Sequence, residues 1–225
     1  MKFGGVGVAA PTPLTVRPNR GRDLTVYVDG FNLYHGLHDT FGRRRLWLDL
    51  VALTRALRPT SHLVQVRYFT APVLDEPGAL SRQVTYQKAL VAQNPGMVSI
   101  VSGRYQPKPM TCRHCGHGYV HYEEKETDVS IAVALVADML THTCTDALII
   151  SADSDLAPAV RTVQMYAPGA NLVAAFPPAR FSAHLKQLMP GSFAIGRSKI
   201  NQSQLPEGVL DAKAGILYSR PAKWV

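Results

Sequence analysis

Leu24-Thr25-Val26-Tyr27-Val28-Asp29-Gly30-Phe31-Asn32 runs from an apolar stretch straight into a carboxylate, a glycine and an amide. Residues 24–28 are all apolar or Thr, as a central parallel strand covered on both faces requires. An Asp just past such a strand stands at the C-terminal edge of a parallel sheet, where open α/β folds place their ligands. The same transition recurs downstream, where Ala147-Leu148-Ile149-Ile150 leads into Ser151-Ala152-Asp153-Ser154-Asp155. Asp128 heads a third segment, an apolar helical run that begins after Thr127. Two sheet edges and one helix start predict a shared acidic pocket. Carboxylates crowded together are driven toward protonation unless a cation neutralises them. Hard divalent ions such as Mg²⁺ take oxygen ligands of this kind. The first reading is a metal-dependent phosphoryl-transfer enzyme.

Outward from these blocks, helical spacing covers 31–41 and 48–57, broken by Arg43-Arg44-Arg45. Strands are expected at 63–70, 97–105, 147–150, 171–176 and 193–195. A helix opens at Pro77 and runs to about residue 92, since a first-turn Pro forfeits no intrahelical bond. Further helices start after Thr127, near Leu156 and at Phe181. The helix after Thr127 is apolar on the Val129, Val133 and Val136 side and on the Ile131 and Leu135 side, which predicts burial nearly all round. Strands alternating with helices imply βαβ units and a parallel sheet. Residues 1–22, rich in Gly, Pro and Arg, are expected to be a flexible basic arm. The domain is expected over 23–200, with a Cys/His insertion at 107–122 and an extended tail packed on it over 201–225.

With 46% hydrophobic and 18% charged residues, the chain is a globular protein. A net charge of +8 points to a polyanionic partner, nucleic acid before membrane. Three cysteines make no disulfide framework. No apolar run approaches the ~18 residues of a spanning helix, and Gly4, Gly5, Gly7, Pro11 and Pro13 interrupt any signal-peptide core. A cytoplasmic protein without membrane attachment is expected.

Each carboxylate also has a plain structural explanation. Asp153 or Asp155 can cap the helix that carries Pro158, Asp128 can occupy a first turn, and Asp29-Gly30 can be a tight turn. Capping does not require Asp153 and Asp155 together, nor an Asp at the end of a separate strand, so the joint pattern favours a metal site.

The blocks YVDGFNLYHGL (27–37), EEKETDVSIAVALVADML (123–140) and ALIISADSDLAPAV (147–160) together resemble the NYN domain of the LabA-like (DUF88) type, a branch of the PIN-like nuclease superfamily. The resemblance covers about residues 23–225, including LPEGVL and RPAKW near the end. It implies a Rossmann-like three-layer α/β/α sandwich with a central, mostly parallel sheet. It also implies a Mg²⁺- or Mn²⁺-dependent nuclease, usually acting on RNA. The family's acidic positions fall on Asp29, Asp128, Asp153 and Asp155, and its polar Asn on Asn32. Many members have Gly where this chain has Ala152 and Glu126. The expected chemistry is phosphodiester hydrolysis, endonucleolytic on single-stranded RNA. The four Asp would hold one or two ions, and Asn32 would orient a water or a phosphate oxygen.

Cys112-Arg113-His114-Cys115-Gly116-His117 with His121 permits a structural Zn²⁺ on Cys112, Cys115, His117 and His121. A free-thiol turn is the alternative. His35 and His38 are expected on a helix surface. Tyr34, Arg43, Arg44, Arg45, Arg104, Lys108, Arg113, Lys125 and Arg180 form the expected RNA surface, with Tyr34 and Tyr105 stacking on bases. A homodimer stays open. The rival reading is a non-catalytic RNA-binding or regulatory module on the same fold. A dehalogenase-like phosphatase lacks its second acid two residues after Asp29, and no Gly-x-Gly-x-x-Gly turn supports dinucleotide binding.

Overall fold

The computed structural model describes residues 22–225 apart from Asp75 and Cys112, with the backbone alone described over 120–125. The arm expected over 1–22 lies outside the described residues, save residue 22. β1 (Asp23–Asp29), α1 (Gly30–Phe41), α2 (Leu50–Leu57), β2 (His62–Thr70), α3 (Pro77–Gln93) and β3 (Val98–Ser102) make the first half. β4 (Arg104–Thr111) and β5 (Gly118–Lys125) form a separate antiparallel ribbon. Then come α4 (Thr127–Leu140), β6 (Asp146–Ile150), α5 (Ala157–Tyr166), β7 (Asn171–Phe176), α6 (Ala183–Leu188), β8 (Phe193–Ala194) and α7 (Arg197–Gln202). β9 (Gly208–Asp211) and β10 (Ile216–Ser219) close the chain as a second antiparallel pair.

The main sheet has the order β3-β2-β1-β6-β7-β8, and all of its pairings are parallel. Alternation along β1 sends Leu24, Val26 and Val28 into a core with Leu33, Leu37, Trp47 and Tyr86, while Tyr27 enters the opposite core with Ile131, Leu135 and Val160. Helices α1–α3 therefore cover one face and α4–α6 the other. This is the three-layer α/β sandwich the sequence predicts. The chain builds outward from β1 to β3, then resumes at β6 on β1's other side. The order reverses between β1 and β6, and a crevice opens at the C-terminal ends of strands where such a reversal occurs.

Three expectations need correction. The third strand stops at Ser102: Gly103 N–H makes the last ladder bond to β2, donating to Thr70 O at 2.7 Å, and the chain then leaves the sheet for the ribbon. The irregular insertion expected over 107–122 is the regular ribbon 104–125. Pro107 and Pro109 are tolerated there because both strands of a two-stranded ribbon are edges. Helix α4 is not buried all round. Ile131, Leu135 and Met139 are buried, but Val129 is 64% and Val133 62% exposed. An outer-layer helix packs only one side against the sheet, whatever its sequence on the other.

A buried polar cluster ties α4 to the sheet. Asp138 accepts from Tyr27 Oη at 2.7 Å and from Arg67 Nη2 at 2.9 Å. Burial, the neighbouring Cys144 and Asp138 all push the Tyr27 phenol far above its ordinary value, so it stays a donor. Asp138→Ala leaves that hydroxyl with only the long contact to Cys144 Sγ, and takes from the Arg67 guanidinium, 26% exposed, its carboxylate partner while Gln65 remains. An expected loss of about 2 kcal/mol follows from leaving such groups poorly paired, measurable as a lower urea midpoint at unchanged m-value.

Candidate functional site

The register between β1 and β6 pairs Val28 with Ile150, so the next residues, Asp29 and Ser151, emerge side by side. Asp29 is the N-cap of α1, with Oδ1 accepting from Asn32 N–H at 2.9 Å, and its Oδ2 accepts from Ser151 Oγ at 2.8 Å. Asn32 Oδ1 in turn accepts from Ala152 N–H at 3.0 Å, which locks the two strand ends together. A backbone N–H at that contact fixes the amide's orientation. The Asn32 Nδ2 donors are thereby left without an acceptor among the described residues, on the wall of the crevice. Asp153 caps the short 3₁₀ turn Ser154–Leu156, accepting from Asp155 N–H at 2.9 Å, and its own N–H donates to Ser151 Oγ at 3.0 Å. Asp128 lies in the first turn of α4. The capping explanation is thus correct for Asp29 and Asp153 individually.

Capping does not exhaust these carboxylates. One oxygen from each of Asp29, Asp128 and Asp153 lies within 4.8 Å of the other two. Asp29 is 4% exposed. Burial pushes its carboxyl above the usual range, the negative charge of Asp153 adds to this, and the bonds from Asn32, Ser151 and Phe31 oppose it. Neither Asp29 nor Asp153 is ion-paired to Lys or Arg among the described residues. A cation held there would relieve such crowding. All three donors are hard oxygens, which suits Mg²⁺ or Mn²⁺ and not a soft metal.

The trio lines a cavity of about 270 Å³ together with Phe31, Asn32, His35, Thr127 and Arg180. Arg180 arrives on a loop that rests on Gly36, where a Cβ would lie 2.7 Å from Pro178 O. Its Nη2 pairs with Asp39 at the rim. Asp155, expected as a fourth ligand, is exposed and stands outside the trio; the 3₁₀ turn carries it away while its N–H serves Asp153. Glu126 adds no carboxylate to the trio, since it pairs with Arg104. Its φ of 80° is a left-handed conformation, which explains why Gly suits this position. His35 is exposed on the surface of α1, as expected, and from there it also lines the crevice. The usable signal was its position one helical turn beyond Phe31 and Asn32.

The expected basic surface separates into parts. Arg43, Arg44 and Arg45 converge with Lys223 around a second depression, with Arg45 bonded to Asn201. Arg104 is neutralised by Glu126, and Arg113 is exposed on the loop between β4 and β5. Lys108 lies on the ribbon, and the Lys125 side chain is outside the described residues. Of the zinc candidates, Cys115 and His117 are exposed in that same loop. Cys112 and the His121 side chain lie outside the described residues. The register pairs His121 with Lys108, three pairs below Thr111–Gly118 and so roughly 10 Å along the ribbon. Tyr34 is 40% exposed and lines a third, aromatic cavity.

Known proteins agree with this architecture. The NYN domain family profile matches residues 23–193. The 6-hydroxy-3-succinoylpyridine 3-monooxygenase HspA of Pseudomonas putida (strain DSM 28022 / S16) is 26% identical over 176 residues, covering 63% of this chain and 55% of that one. The chain therefore spans about half the length of that curated relative. The crystal structure of VPA0982, a protein of unknown function from Vibrio parahaemolyticus RIMD 2210633, superposes with a TM-score of 0.57 at 15% identity. That match covers 81% of this chain and 98% of the other, and it bears on the fold alone. The chain belongs to the NYN domain family, within the PIN-like nuclease superfamily.

Proposed function

We propose that the protein is a metal-dependent ribonuclease that cuts single-stranded RNA endonucleolytically, with Asp29, Asp128 and Asp153 as the residues that would hold Mg²⁺ or Mn²⁺. The observation that carries this reading is the convergence of those three carboxylates at the sheet's reversal point without a Lys or Arg on Asp29 or Asp153. A divalent ion held by these residues would supply Lewis acidity, making a water more acidic and stabilising charge on the leaving oxygen. The chain's own groups do the positioning. Asn32 offers its Nδ2 donors to a phosphate oxygen, because its Oδ1 is already held by Ala152. Ser151 orients Asp29 and Asp153 through one hydroxyl. His35 lines the same crevice and would donate a proton to the departing oxygen. Arg180 is a second lining residue and would meet a backbone phosphate. Purified protein with Mn²⁺ is expected to produce internal cuts in a labelled single-stranded RNA, and EDTA should stop them. Intact RNA under both conditions would remove the reading.

The Cys/His loop is proposed to carry a structural Zn²⁺ on Cys112, Cys115, His117 and His121. About one zinc per chain is expected from elemental analysis of reduced, unchelated protein, and none from a Cys115→Ser variant. A second substrate reading is favoured by the name of the Pseudomonas putida relative, which points to a substituted pyridine. RNA left intact alongside turnover of a hydroxypyridine would decide for it.

A further inference from the structure

Beside the acidic crevice lies a larger cavity of about 520 Å³, within the roughly 300–1,000 Å³ range of sites that enclose a small molecule or a single nucleotide. Phe31 and His35 line both spaces, so the two adjoin across a shared wall. The inner wall is aromatic. Tyr68, Tyr86 and Trp224 are buried and meet edge to face, with ring centres 6.2 Å apart for Tyr68–Tyr86 and 5.9 Å for Tyr86–Trp224. Tyr34 stands half-exposed on the same lining. Such a lining suits a flat π-system, which stacks on aromatic rings irrespective of its exact identity.

The polar groups are unevenly used. Gln83 is fully engaged, with its amide bonded to Val73 N–H, Ala71 O and Thr70 Oγ1. The Arg82 guanidinium differs. Its side chain is only 16% exposed, and Glu76, its ion-pair partner among the described residues, is 3.6 Å away, beyond a hydrogen bond. It has no hydrogen-bond acceptor among the described residues, and neither has the indole N–H of Trp224. Two donors without acceptors beside an exposed carboxylate can read a heterocycle edge that carries both acceptors and N–H groups.

We infer that this aromatic cavity binds one unstacked nucleobase of the RNA, that of the nucleotide adjoining the scissile phosphate. The inference rests on the ribonuclease reading for its ligand, and it follows from the shared wall. A base seated among Tyr68, Tyr86 and Trp224 leaves its ribose-phosphate at Phe31 and His35, where the acidic trio begins. Flat stacking supplies affinity, and the Arg82–Glu76 pair supplies discrimination between bases.

The test measures binding in EDTA, so that cleavage does not enter. A fluorescein-labelled ten-nucleotide single-stranded RNA is titrated by anisotropy, with an abasic residue placed at each position in turn. One position is expected to weaken binding roughly tenfold when its base is removed, the effect of one stacked base. Ala79→Phe fills the cavity from the half-exposed start of α3. It should weaken the intact RNA to the same degree and erase the abasic difference. Should that variant melt early, Arg82→Gln provides the second reading, and it is expected to flatten the preference among the four bases at that position. A flat abasic scan overturns the inference. So does a folded Ala79→Phe protein that keeps the wild-type abasic difference, or a hydroxypyridine that displaces the RNA at lower concentration than any of the four nucleoside monophosphates. Failure of the ribonuclease reading is separately visible. RNA that binds with one base-sensitive position but survives Mn²⁺ leaves the cavity assignment standing and removes the catalytic one.

Discussion

Asp29→Asn is expected to lower RNA cleavage by about 10³-fold or more, roughly 4 kcal/mol of transition-state stabilisation, while making the metal-free protein more stable. Asn is nearly isosteric with Asp. Its Oδ1 still accepts from Asn32 N–H, and its Nδ2 can donate to Ser151 Oγ once that hydroxyl turns its own proton elsewhere, so the cap is kept. What disappears is a buried negative charge. Burial holds the Asp29 carboxyl above its ordinary value of 3.8 in the folded state. A carboxyl raised on folding contributes stability that is complete below its unfolded value and is lost as pH rises through the folded one. At neutral pH without metal, wild type therefore carries a charge that opposes folding, and the Asn variant does not. In EDTA the variant should melt higher than wild type, by about 2–4 °C for each ~1 kcal/mol relieved, with a smaller gap at pH 4 than at pH 8. Added Mn²⁺ should raise wild type and leave the variant almost unmoved. A variant that melts lower than wild type in EDTA would mean that the carboxylate stabilises the fold as a cap, with no metal implied.

Gly30→Ala should be the most damaging glycine-to-alanine change among the described residues. A Cβ at residue 30 would lie 2.6 Å from Phe69 O and 3.0 Å from the Tyr68 ring. The carbonyl belongs to β2, which pairs with β1 and β3 in the middle of the sheet and has no room to retreat. Overpacking of this kind costs about 3 kcal/mol, which for a protein of this size is a Tm drop of roughly 6–12 °C. The displacement also reaches the site, because Gly30 joins Asp29 to the first turn of α1. Cleavage should fall more than the melting temperature alone would explain. An alanine variant with wild-type Tm would show that α1 and β2 are less tightly apposed than described.

The parts of the fold legible in the sequence were those whose signal is local. Residues 24–28 and 147–150 are apolar without alternation, and only strands covered on both faces need that, so the parallel sheet and its helices followed. The positions of Asp29 and Asp153 were legible for the same reason, as the first acidic residues at or just past the ends of buried strands. Other features depend on where an element sits. Val129 and Val133 are apolar residues on a helix, yet they face out because α4 is in an outer layer. Asp155 is two residues from Asp153, but a 3₁₀ turn sends it to solvent. The ribbon of β4 and β5 was obscured by Pro107 and Pro109, which argue against an interior strand but not against an edge. The aromatic cavity had no sequence signature, because its walls come from Tyr34, Tyr68, Tyr86 and Trp224, brought together only by the folded chain.

Asp138 has a consequence for the distant end of its own helix. A helix apolar on nearly every side has little to choose its azimuth, since many rotations about its axis bury comparable surface. Anchoring one carboxylate to Tyr27 and Arg67 keys α4 to the sheet at a single angle. Ten residues earlier, roughly 15 Å along the axis, that angle decides whether Asp128 aims at Asp29 and Asp153 or at solvent. The buried pin and the acidic trio are thus two ends of one rigid rod.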